Sequence, residues 1–154
     1  MASTALPAPA PVAARDDEEV SLLRLYLLRG AYVLLIAGLG GLIVPQILSH
    51  PITDRGVIAA LLGGVWLLAF IGLVHPLRML PLLLFELAWK LIWVLAYGLP
   101  QWQAGQLTPV TSEDLTNTLV GVVLMPLVIP WPYVWRRYVQ QPGARWRRNA
   151  GGER

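Results

Sequence analysis

Glu86 and Lys90 are the residues whose type and position most demand a chemical account. Both interrupt an otherwise apolar run from Met79 to Leu99, and a charge at the centre of a bilayer-crossing helix costs at least about 2.5 to 3.5 kcal/mol. Spaced i and i+4 with the acid first, they share one helical face in the orientation that favours pairing. One use of such a pair is mutual neutralisation or anchorage of one helix to another, with no reaction attached. A second is an ion or proton relay, since intramembrane carboxylates mark transport paths. A third is contact with a ligand. Trp89, Trp93 and Tyr97 continue the same face, and Arg29 and Tyr32 of an earlier apolar run, with Tyr26 nearby, are placed to approach it. These side chains are candidates to line a small polar cleft. The competing use is packing, where indole N–H and phenol O–H groups find partners inside the protein.

Other chemistries lack residues. With no cysteine among 154 residues, the chain has no disulfide, thiolate metal site, cysteine nucleophile or iron–sulfur cluster. His50 and His75 flank one apolar run, which at 1.5 Å per residue holds them roughly 30 Å apart, too far to share a haem or metal within one chain. There is no Ser-His-Asp set, no phosphate-cradling glycine loop and no HExxH pattern. No cofactor, no metal and no enzymatic activity are expected.

The elements that carry these residues follow from composition. Hydrophobic residues make up 56% and charged residues 14% of the chain, against about 45 to 50% and about 25% in soluble domains. At about 20 apolar residues per crossing, four helices use most of the length. The expected fold is all-α, an antiparallel bundle of four transmembrane helices over residues 15–139, with spans at about 24–47, 56–75, 78–99 and 117–136. Residues 1–14, rich in Ala and Pro, read as a disordered tail, and residues 140–154 as a basic tail. Asp16 to Glu19 suit a first helical turn, so the first helix is expected to begin near Asp17. Pro81 fits the first turn of the third helix. Pro126, Pro130 and Pro132 should bend the fourth or end it early. The stretch from Gln101 to Asn117 reads as a polar loop.

Orientation follows from arginine. Arg15, Arg24, Arg29, Arg78, Arg136, Arg137, Arg145, Arg147, Arg148 and Arg154 fall on one side of the expected membrane and Arg55 on the other. Basic residues near span ends stay cytoplasmic, so both termini are expected there. Arg136, Arg137, Arg145, Arg147 and Arg148 then face the anionic inner leaflet. A few basic residues beside a span signal topology, and no nucleic-acid partner is expected. The expected partners are the lipid bilayer and other membrane subunits or further copies of the chain. Ala37 and Gly41, with Ala60 and Gly64, have small-xxx-small spacing and are expected to form the contact between the first two helices. Trp102, Trp131, Trp135 and Tyr138 fit the interfacial aromatic belt.

The stretch HPLRMLPLLLFELAWKLIWVLAYGLP, together with PWPYVWRRYV, resembles a group of small bacterial four-helix integral membrane proteins of unassigned function, over about residues 22–139. The resemblance implies a bacterial inner-membrane location and carries no activity. In size the chain is also similar to DoxX-like proteins and small multidrug exporters, but the exporters place their membrane acid in the first helix and show little charge bias. The expected role is therefore a non-enzymatic structural or accessory membrane protein, with a small transporter or channel subunit working through Glu86 as the alternative.

Overall fold

The computed structural model describes residues 20–49 and 56–141, and every regular element among them is helical. Helix α1 spans Leu22–Leu48 and α2 spans Gly56–Val74. Helix α3 spans Leu80–Gln103, α4 spans Pro109–Val128 and α5 spans Trp131–Gln140. By length and composition α1, α2 and α3 can each cross a membrane, and α4 with α5 makes a fourth candidate if that bent pair counts as one span. Helix is what such a sequence must form in lipid, because every backbone N–H and C=O has to be satisfied within the segment.

Local chemistry sets the helix ends. The expected start near Asp17 moves to Leu22, because Ser21 stands outside the helix and its hydroxyl accepts the N–H of Arg24 at 3.4 Å. Residues 1–19 and 142–154, and with them both tails, lie outside the described residues. Helix α3 begins with Pro81 in its first turn, as expected. It widens into a π-helical turn at Val94–Gly98, where the N–H of Leu99 reaches back to the carbonyl of Val94. Pro100 explains the widening. Its ring would collide with the carbonyl of Ala96 in a regular α-turn, and it has no N–H to donate there.

The loop expected over Gln101 to Asn117 is far shorter. Helix α3 runs on to Gln103 and is closed by Gly105, which takes the left-handed conformation at φ 66° while Gly105 and Gln106 donate back to Trp102 and Gln101. Four residues later α4 starts at Pro109, behind Thr108, whose hydroxyl accepts the N–H of Thr111. The fourth span expected at 117–136 thus becomes α4 and α5, separated by a turn of 74°. The prolines cause it. Pro130 and Pro132 leave the carbonyls of Pro126 and Val128 without their helical donors. The indole N–H of Trp131 takes over the first, donating to the Pro126 carbonyl at 2.9 Å.

Helices α1 and α2 run in opposite directions and pack closely, and α3 and α4 do the same. Between α1 and α2 the fit is large on small. Helix α1 presents Leu25, Leu28, Tyr32, Leu35 and Ile43, while α2 presents Ala59, Gly63, Val65, Ala69 and Gly72. The expected seam of Ala37, Gly41, Ala60 and Gly64 is corrected, since all four are exposed and a Cβ on Gly41 or Gly64 would meet nothing within 4 Å. The close approaches lie at neighbouring positions, Gly40 against Trp66, Gly63 against Ile47 and Gly72 against Tyr32. Both helices are apolar all round, so sequence spacing alone does not say which stripe turns inward.

The core is concentrated at one end. Leu28, Tyr32, Leu80, Leu83, Met125, Ile129 and Tyr133 are buried together where α1 begins, α2 ends, α3 begins and α4 ends. Elsewhere the helices expose long apolar side chains, and only 22 to 28% of each apolar stretch of α1, α2 and α3 is buried. The remainder is surface that a lipid bilayer or partner helices would cover.

Candidate functional site

Glu86 sits about two turns into α3 and is wholly buried. Lys90 follows one turn later and donates its ammonium to Glu86 Oε2. The i and i+4 pairing expected from spacing is therefore formed within one helix. The Lys90 ammonium also lies 4.2 Å from the centre of the Trp89 ring, a cation–π arrangement that further compensates the charge. Its aliphatic stem passes over Gly121 of α4, where an added Cβ would come within 2.6 Å of Lys90 Cε. Gly121 makes room for the pair, a role that one glycine in an apolar run does not advertise. Glu86 Oε1 and Trp89 Nε1 are buried without a hydrogen-bond partner among the described residues.

The expected polar cleft divides into three places. Trp89 and Trp93 line a groove of about 480 Å³ between α2, α3 and α4, together with Ile58, Val65, Phe85, Asp114 and Thr118. Neither Glu86 nor Lys90 forms part of its wall. Arg29 and Tyr32 belong to the opposite, tightly packed end. The Arg29 guanidinium donates to the carbonyl of Leu73 at 3.3 Å and the Tyr32 hydroxyl to the carbonyl of Pro76 at 3.2 Å. The pull comes from the end of α2, whose last carbonyls have no partner within their own helix. Tyr97 points outward and is exposed. Asp114 and Thr118 were missed in the groove because the residues from Gln101 to Asn117 read as loop. The Thr108-Pro109 pair, a capping residue followed by proline, was the available signal for the earlier helix start.

Arg24 has the longest reach in sequence. Its guanidinium donates to the carbonyl of Ile129 at 3.3 Å, tying the first turn of α1 to the break between α4 and α5. Arg136 is exposed and Arg137, half-buried, donates to the side chain of Gln141 at 3.0 Å. Arg145, Arg147 and Arg148 lie outside the described residues. The indole of Trp66, too deep for an interfacial belt, donates to the carbonyl of Ile36 at 2.9 Å and meets Phe70 edge-on.

Among the described residues no three His, Asp or Glu side chains gather as metal ligands. No protein family, curated protein or solved structure matches this chain. Functional argument therefore starts from the buried pair and the arginine-rich end.

Proposed function

We propose that this chain is a non-enzymatic integral membrane protein of a bacterial inner membrane. In this reading its helices form an antiparallel bundle of four crossings with both termini cytoplasmic, serving as a structural or accessory subunit beside other membrane proteins or further copies of itself. The observation that carries the reading is the closure of the Glu86–Lys90 pair within α3, with Glu86 wholly buried and the Lys90 stem laid across Gly121. A relay carboxylate needs a wetted approach, and this one is spent on packing. The arginine distribution supports the orientation. The bilayer and membrane subunits are the proposed partners, with no nucleic acid and no cofactor.

A second reading, a small transporter or channel subunit that moves protons or a small solute past Glu86, draws on a different observation. Glu86 Oε1 has no hydrogen-bond partner among the described residues, which leaves it able to take one from a passing ion or water. Purified protein in liposomes under a pH gradient decides between the two. Proton flux that disappears in Glu86→Gln would overturn the accessory reading. Flux at the level of empty liposomes, with co-purification of a membrane protein in fixed ratio from native membranes, is the expected result.

A further inference from the structure

We propose that α5 lies along the membrane surface and binds anionic phospholipid headgroups through Arg136 and Arg137, instead of completing the crossing that α4 begins. Helix α4, with 20 residues, is about 30 Å long and can reach across the hydrocarbon core alone. Helix α5 then turns away by 74°. With α4 along the membrane normal, this leaves α5 close to the membrane plane.

The turn is built into the fold. Trp131 caps the freed carbonyl of Pro126, and Arg24 reaches from α1 to hold the carbonyl of Ile129. On its inner side α5 seats Tyr133 in the core, with Val134 packed beside it. Its outer side presents Trp131, Trp135, Tyr138 and Val139. Rings with an apolar body and a polar edge are those that settle at the headgroup level.

Charge selects the lipid. From Leu115 to Arg148 the sequence contains no Asp or Glu, so the arginines of α5 have no acid within their own segment to neutralise them. Phosphate oxygens of an anionic headgroup match the planar guanidinium, which can bind them through two N–H donors at once. The proposal rests on the reading of the chain as a membrane-crossing protein, but not on which side the arginines occupy.

The test uses the full chain in nanodiscs of symmetric composition, which present the same lipids at both faces and make the result independent of topology. Because the chain has no cysteine, single nitroxide labels can be placed by Trp135→Cys and Val139→Cys, with Leu127→Cys in α4 as the deep reference. Relative accessibility to oxygen and to a nickel chelate reports depth. Equal, headgroup-level depth for the two α5 labels is expected; a difference of about 6 Å, four residues of a crossing helix, would overturn the flat placement. Quenching of tryptophan fluorescence by brominated phosphatidylglycerol, compared with brominated phosphatidylcholine, reads the lipid preference. The Arg136→Gln, Arg137→Gln double variant should lose about 30-fold of that preference, while Arg136→Lys, Arg137→Lys keeps most of it. A preference absent from the unaltered protein, or unchanged in the glutamine variant, would overturn the headgroup site.

Discussion

The ring of Tyr32 packs directly on the backbone of Gly72, and its hydroxyl, carried past the end of α2, donates to the carbonyl of Pro76 at 3.2 Å. One side chain thus fixes both the separation of α1 from α2 and the path of the turn into α3. Any Cβ at position 72 would overlap the ring. Gly72→Ala is expected to lower stability by about 1 to 3 kcal/mol, the usual cost of overpacking a buried contact. Gly64→Ala, at an exposed position with open space around it, should be neutral. Thermal unfolding in detergent compares the two, and equal losses would show that the inward stripe is not the one described.

For Glu86 and Lys90 the expectation is strong non-additivity. Lys90→Met leaves a buried carboxylate without its cation, and Glu86→Gln leaves the cation without its carboxylate. Each should cost on the order of 3 kcal/mol. The double variant leaves an apolar helix with one neutral amide and should regain most of that stability. Losses in the double variant equal to the sum of the singles would reject the pair as a structural unit.

Arg24 ties the first turn of α1 to the break after α4. Arg24→Met removes a charged donor from the carbonyl of Ile129 and is expected to lower the unfolding free energy by about 1 to 2 kcal/mol. Arg78→Gln, in the exposed turn between α2 and α3, should change it little. A measurable shift in both, of the same size, would assign the effect to general charge instead of to this contact.

Topology is testable by fusion. Alkaline phosphatase joined after Gly105, in the turn between α3 and α4, should be active, and joined after Gln141 should be inactive, whereas green fluorescent protein after Gln141 should fluoresce. An active phosphatase at Gln141 would place the arginine end outside and reject four crossings with cytoplasmic termini.

What the linear sequence determined here is local or compositional. Long apolar runs become helices, because a chain with little polar surface has to satisfy its backbone internally. Glu86 and Lys90 pair because one helical turn separates them, and prolines break the segment after α4 because each removes a donor at a known position. Tertiary structure decided which face turns inward and what the polar groups reach. Helices apolar on every side carry no directional pattern, so Gly40, Gly63 and Gly72 were chosen over Gly41 and Gly64 by the shapes of Trp66, Ile47 and Tyr32 on the facing helix. Likewise Arg24, Arg29 and Tyr32 bind the carbonyls of Ile129, Leu73 and Pro76, partners 44 to 105 residues away along the chain. Such carbonyls are left open by a helix end or a proline, and only the folded chain brings a donor to each.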